Sequence, residues 1–352
     1  MFFPDVLETR FLNGQHLFNG DAMEAMESWP APIVVVCDGP YGIKGYPGDL
    51  SFPGALAAWY RPFLEQITEK STPATTLWFW NTEVGWACVH PVLESLGWKY
   101  VACNIWDKGL NHIAGNTNTQ TIRHFPVATE VCVQYVREPA FFIKENEKKK
   151  QINMQEWLRA EWLRTGLPLS KTNEACGVKN AATRKYFTKD DLWYMPPADV
   201  FEKLVGYANE HGNEEGKPYF SVDGRKSISY GELEMIRAKF HCPFGVTNVW
   251  HMPPLHSKER LKHGGKAIHN NQKPKELIRR IVEASSDEGD IVWDPFGGLF
   301  TTAAVCSDIG RECYSAEVNK DIFEVACTRF APTSKALLPL PLVASHLCTR
   351  KA

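Results

Sequence analysis

Apolar and polar positions come in alternating blocks along the first third of the chain. "IVVVCD" (33–38) is apolar at successive positions, which marks a strand covered on both faces. "LAAWYRPFLEQITEK" (56–70) has helical spacing, and "TTLWFWN" (75–81) is a β-branched and aromatic strand. "HPVLESLGW" (90–98) predicts a short helix and "VATEVCVQYV" (127–136) another strand. This is the βαβ rhythm of a twisted, mostly parallel sheet with helices on both faces. It breaks near residue 140. "KENEKKKQ" (144–151) reads as a solvated linker, and the text from 152 to about 240 is polar and helical. Strand language returns around 246. "KPKELIRRIVEASS" (273–286) is a helix with apolar residues at 277, 278, 281 and 282. "DIVWD" (290–294) is a strand, "TTAAVCSDIG" a helix and "ECYSAEV" (312–318) a strand. One α/β domain is therefore expected in two pieces, 1–143 and 246–330, separated by a helical insertion at 144–245 and followed by a surface tail at 331–352.

Composition narrows the picture only a little. A formal charge of -2 over 352 residues gives no overall pull toward nucleic acid or membrane, so an anionic partner needs a local basic patch. Ten cysteines without a CxxC pair suit reduced thiols and a cytoplasmic location. "MFFPDVLETR" lacks the basic start and apolar core of a signal peptide, and "ALLPLPLVA" is too short to span a bilayer. His241, His251, His256, His263 and His269 crowd one segment, but the prolines of "HMPPLH" forbid helical ligand spacing, so a surface loop and no metal site are expected.

Two strand ends carry chemistry. After "APIVVV" the chain reads "CDGPYG", placing Asp38, Gly39, Pro40 and Tyr41 in one turn. A turn uses the glycine and proline but has no need of the acid or the ring. The second unit is "DIVWDPFGGLFTTAAV", in which glycines directly after a strand let backbone approach a ligand at a helix N-terminus. An acid, Glu317, then closes the next strand, where a carboxylate commonly grips ribose hydroxyls. The plain alternative is a tight turn followed by an acidic strand end.

"DPFGG" followed by "TT" resembles the S-adenosylmethionine loop of the DNA amino-methyltransferases, and "HNNQKPKELIRRIVEASSDEGDIVWDPFGG" resembles that family's approach to it. "FNGDAMEAMESWPAPIVVVCDGPYG" (18–42) resembles the family's "GDA…DPPYG" entry to its catalytic loop. Catalytic loop first, insertion second and cofactor loop last is the permuted order of the β group. The resemblance implies a Rossmann-like methyltransferase sheet, S-adenosyl-L-methionine as cofactor and double-stranded DNA as substrate. It implies a monomer or homodimer, with a restriction endonuclease acting separately as functional partner. In the catalytic loop, Asp38 would accept one hydrogen of an exocyclic base amine and the carbonyl of Gly39 or Pro40 the other. Pro40 would stiffen the loop and Tyr41 would offer a stacking face to a flipped base. Asp294 and Phe296 would line the cofactor pocket, Gly297 and Gly298 would allow close approach, and Glu317 would bind ribose. Lys273, with Pro274, would shape the methionine end, and Asp21 would approach adenine.

The chain departs from the family pattern at Gly39, where proline is usual, and at Leu299 and Phe300, where small residues and a glycine are usual. These predict a less preorganised catalytic loop, and either a different cofactor-loop path or weaker cofactor binding. An aspartate in the first catalytic position favours adenine N6 over cytosine N4. In the insertion, "WLRTGLPLSKTNEACGVKNAATRKYF" (162–187) reads either as a helix-turn-helix or as an ordinary helical hairpin. In the first reading Lys179, Asn180, Thr183, Arg184 and Lys185 contact DNA. A DNA-binding regulator on an inactive methylase fold and an RNA amine methyltransferase remain as alternative functions.

Overall fold

The computed structural model describes residues 8–45, 49–110, 120–145, 148–256, 259–263, 265–268 and 271–330. The strands are β1 (Glu8–Leu12), β2 (Gln15–Asn19), β3 (Val34–Cys37), β4 (Thr76–Asn81), β5 (Trp98–Asp107) and β6 (Thr129–Arg137). After them come β7 (Phe141–Glu145), β8 (Lys148–Ile152), β9 (Val249–His251), β10 (Lys262–His263), β11 (Lys266–Ala267), β12 (Ile291–Asp294) and β13 (Glu312–Glu317). Nine of these form one sheet in the order β1-β2-β13-β12-β3-β4-β6-β5-β9. Sequence-distant β12 pairs in parallel with β3, joining the two pieces of the split domain.

Side-chain alternation explains the layering. In β3, Val34 and Val36 point to one face and Val35 and Cys37 to the other, while Trp78 and Trp80 in β4 oppose Leu77 and Phe79 in the same way. The first face is covered by α8 (Lys275–Ser285), α9 (Thr301–Asp308) and α10 (Lys320–Cys327). The second is covered by α1 (Ala22–Ser28), α2 (Leu56–Lys70) and α3 (Glu83–Ser95). The result is a three-layer α/β sandwich, as the apolar runs predict.

Several expectations need correction. The sheet is mostly parallel as expected, but β1 runs antiparallel to β2, and β6 to both β4 and β5. The helix expected over 90–98 begins earlier, at Glu83, where the Thr82 side chain accepts from the Gly85 amide; Trp98 already opens β5. Of the charge run 144–151, expected as a linker, Lys144 and Glu145 lie on β7 and residues 148–151 on β8, which pair antiparallel. The tail after 330 lies outside the described residues.

The insertion has a hydrophobic core of its own, running from Phe141 to Leu233 and including Trp157, Trp162, Phe187, Phe201 and Phe220. Its helices are α4 (Met154–Arg164), α5 (Thr172–Ala175), α6 (Ala198–His211) and α7 (Tyr230–Glu234). It holds no helix-turn-helix. Where a second, recognition helix is expected there is a loop and a 3-10 turn, Thr183–Phe187. Gly177 and Asn180 both take left-handed backbone angles, which a helix cannot accommodate. Thr183 is buried and its hydroxyl bonds to Thr172 and Asn173, so it pins the loop and is withdrawn from any DNA surface. Lys179, Asn180 and Arg184 are exposed and Lys185 is half-buried.

Candidate active site

Parallel strands put their carboxyl ends on one edge, where ligands collect. Here that edge presents, strand by strand, Asp21 after β2, Glu317 on β13, Asp294 on β12 and Asp38 after β3. All four line one cavity of about 660 Å³, with Gly39, Pro40, Tyr41, Lys273, Phe296, Gly297 and Gly298 also in its wall. Twelve of the residues nominated as catalytic or cofactor-binding, or as departures from the family pattern, thus meet at one place once Leu299 is counted.

The cofactor loop is shaped by crowding. A side chain at Gly297 would meet Ser315 Oγ at 2.2 Å and the Phe300 ring at 2.7 Å, so only glycine fits. Phe300, at a place where glycine is usual, takes the glycine-like conformation itself, with φ 51°. Its ring is fully buried and meets Phe323 edge-on at 5.7 Å, which offsets a left-handed penalty of about 1–2 kcal/mol. Beside it, the Leu299 carbonyl accepts from Arg329 at 2.5 Å and the Leu299 side chain is buried.

Two carboxylates, Asp294 and Glu317, flank this loop. Burial, reinforced by Asp38, raises Asp294 to about 7 against the opposing Thr302 hydroxyl. Burial raises Glu317 to about 7 as well, against the Asn319 and Gly298 amides. No ion pair among the described residues involves either group. Asp21 caps α1, its Oδ1 accepting from the Met23 amide at 2.8 Å, and lines the cavity. Phe296 packs with Trp59, Tyr60 and Phe63.

The catalytic loop is more tightly held than a glycine at position 39 suggests. Asp49 accepts from the amides of Tyr41 and Gly42 at 2.9 and 2.7 Å. The Pro40 carbonyl accepts from Tyr60 Oη and Asn81 Nδ2, both at 3.0 Å. Of the two carbonyls proposed to hold an amine, Pro40's is thus committed, and Gly39's is the one left. A side chain at Gly39 would come within 2.7 Å of Tyr60 Oη and 3.0 Å of Phe296, so the backbone there is closely enclosed.

Tyr41 does not offer an open face. It is 4% exposed, and its hydroxyl lies 2.8 Å from Asp38 and 3.0 Å from Glu130. Burial, with those two carboxylates, holds it far above its ordinary value, so it is a neutral donor. Lys273 does not simply start a helix; α8 begins two residues later. Its ammonium is 3% exposed and sits 2.9 Å from Asp38 Oδ2, 2.9 Å from Tyr41 Oη and 3.5 Å from Glu130. Burial works against its charge, but Asp38 and Glu130 outweigh that and raise it. Glu130, Lys108, Tyr60, Asn81 and Asp49 escape sequence reasoning. The one available signal is a glutamate inside the apolar run "VATEVCVQYV".

A family model described as DNA methylase matches residues 34–328. The Type II methyltransferase M.BglII of Bacillus subtilis is 40% identical over 324 residues, 89% of this chain and 68% of that protein. The DNA adenine methyltransferase YhdJ of Escherichia coli is 40% identical over 82 residues, only 23% of this chain and 26% of YhdJ. The solved PvuII DNA methyltransferase, described as cytosine-N4-specific, superposes with a TM-score of 0.50 at 14% identity, covering 92% of this chain and 88% of that one, a likeness of fold. With the family model spanning both pieces of its split sheet, this chain belongs to the N6/N4 DNA methylase family.

Proposed function

We propose that this chain methylates an exocyclic base amine in double-stranded DNA at a defined sequence, using S-adenosyl-L-methionine, as the modification enzyme of a restriction-modification system. The observation that carries the reading is the shared cavity, in which the Asp38 loop and the 294–298 loop leave adjacent parallel strands. The cavity suits this cofactor. A buried carboxylate, Asp294, and a half-buried one, Glu317, neither with an ion pair among the described residues, would face a ligand that bears an ammonium group and ribose hydroxyls, with glycine backbone beside them. Asp294 and Glu317 would hold those groups, Phe296 would lie against the adenine and Asp21 would reach its edge. When bound, the cofactor supplies an electrophilic sulfonium methyl.

The protein's own task is to make a poor nucleophile adequate. The lone pair of a base amine is delocalised into the ring. Asp38 accepting one N–H and the Gly39 carbonyl the other would turn that pair out of the ring plane and hold it there. As nitrogen becomes positive, the Asp38 carboxylate binds it more strongly, which favours the transition state. The aspartate in this position and the adenine-specific name of YhdJ favour adenine N6 over cytosine N4. In the insertion, Lys179, Asn180 and Arg184 are exposed and Lys185 is half-buried beside them, and among the described residues no ion pair is seen for these cations, which suits phosphate or base contact. Expression in a host without DNA methylation, followed by genome-wide mapping of modified bases, tests the reading. N6-methyladenine in one short motif is expected. N4-methylcytosine would move the target to cytosine, and an unmodified genome would overturn the proposal.

A further inference from the structure

Beyond Asp38 the sheet continues through β4 to β6, and there Glu130 stands at the amino end of β6 on the same edge. It is 5% exposed. A buried carboxylate is costly unless paired and hydrogen-bonded, so its partners show what it is for. Oε2 accepts from Trp80 Nε1 at 2.8 Å and lies 3.0 Å from the Tyr41 hydroxyl and 3.5 Å from the Lys273 ammonium. Oε1 accepts from Lys108 at 2.5 Å. Burial alone would raise Glu130, but Lys273 and Lys108 outweigh it and hold it at about 2, so it is an anion throughout the working range.

Two of these partners also touch Asp38. Lys273 reaches both Asp38 oxygens, at 3.0 and 2.9 Å, and Tyr41 reaches Oδ1. The Tyr41 hydroxyl has a single hydrogen for two carboxylates. Because Trp80, Lys108 and Lys273 already serve Glu130, that hydrogen is free to serve Asp38, and it can turn to Glu130 when an amine arrives. Without Glu130 the Lys273 charge would fall on Asp38 alone and tighten its hold on the oxygens an amine needs. We infer that Glu130 is a positioning residue for methyl transfer, sharing Lys273 and Tyr41 with Asp38 so that the Asp38 carboxylate is held in place without being fully neutralised and can still accept from the target amine. This rests on the role of Asp38 proposed above.

Glu130→Gln keeps the shape and removes the charge. In a single turnover with labelled S-adenosylmethionine and unmethylated genomic DNA, methyl incorporation is expected to fall about 100-fold, the scale of a slightly misplaced reactive group. Cofactor affinity by calorimetry is expected to stay unchanged, since Glu130 does not line the cavity. Combined with Lys273→Met, the loss should not multiply, because both changes act through one network. A Glu130→Gln enzyme at the wild-type rate, or losses that multiply, would overturn the inference. If Glu130→Gln fails to fold, Lys108→Gln reads the same coupling from the outer end: about a tenfold fall is expected, and an unchanged rate would overturn it. Asp38→Ala separates the two levels. If it keeps the wild-type rate, the proposed function itself falls; if it is inactive while Glu130→Gln is normal, only the positioning role falls.

Discussion

Gly39 shows how tertiary enclosure bears on a residue that sequence alone reads as flexible. Set against a family proline it predicts a loose loop, yet Tyr60 and Phe296 close around it and leave no space for a Cβ. Gly39→Ala is therefore expected to destabilise the protein by about 1–3 kcal/mol, the usual cost of overpacking. Chemical denaturation measures this, and Tyr60→Phe in the same background should return part of the loss by removing the oxygen that clashes. No loss on Gly39→Ala would mean that the enclosure is slack. The acids that end apolar strands, Asp38, Asp294 and Glu317, were legible because a charge after a buried strand is conspicuous. The partners of Asp38 were not. Lys273 is 235 residues away, and Glu130 and Lys108 join the site through the antiparallel pairing of β6 with β4 and β5.

Elements were legible where one local signal dominated and misread where tertiary packing decided. The apolar runs at β3 and β12 and the amphipathic α8 stand as expected, since burial on both faces or on one stripe leaves a clear period. The sequence of the helix-turn-helix candidate has helical composition, but left-handed backbone at Gly177 and Asn180 and the Thr172–Thr183 bond turn it into a pinned loop. The start of α9 is a second case of packing over local preference. Phe300 holds a left-handed angle for the sake of its buried ring. Replacing it should cost about 3–5 kcal/mol as alanine, which keeps the strain and loses the burial. Phe300→Gly should be more stable than Phe300→Ala by about 1 kcal/mol, because glycine is at ease there. Thermal melts of the two variants decide; an alanine variant at least as stable as the glycine one would show that the strain is not real.

At the scale of the molecule, the split sheet brings two halves of a site to one edge, and its electrostatics divide accordingly. Asp294 and Glu317 on the cofactor side are raised to about 7, above the ordinary value near 4. Stability from a raised carboxyl is fully present below its unfolded value and is lost as pH rises through the folded one. The cofactor-free protein should thus grow more stable as pH falls from about 8 to about 5, by an order of 1–3 kcal/mol. Asp294→Asn with Glu317→Gln should flatten that slope in thermal melts. Glu130, held at about 2, has the opposite sign: its contribution is present above the ordinary glutamate range and is lost only as pH falls toward about 2, outside this window. Cofactor affinity should run the other way from stability, weakening below about pH 7 as the two carboxyls take up protons. The central claim is that the Asp38 carboxylate acts on the reacting amine and not on the cofactor. The most direct test is Asp38→Ala in a single turnover on unmethylated DNA, with S-adenosylmethionine affinity measured alongside by calorimetry. The account predicts a methyl-transfer rate lower by about 100- to 1000-fold with cofactor affinity near wild type. A variant that turns over normally, or one that loses activity only because it no longer binds cofactor, would contradict it.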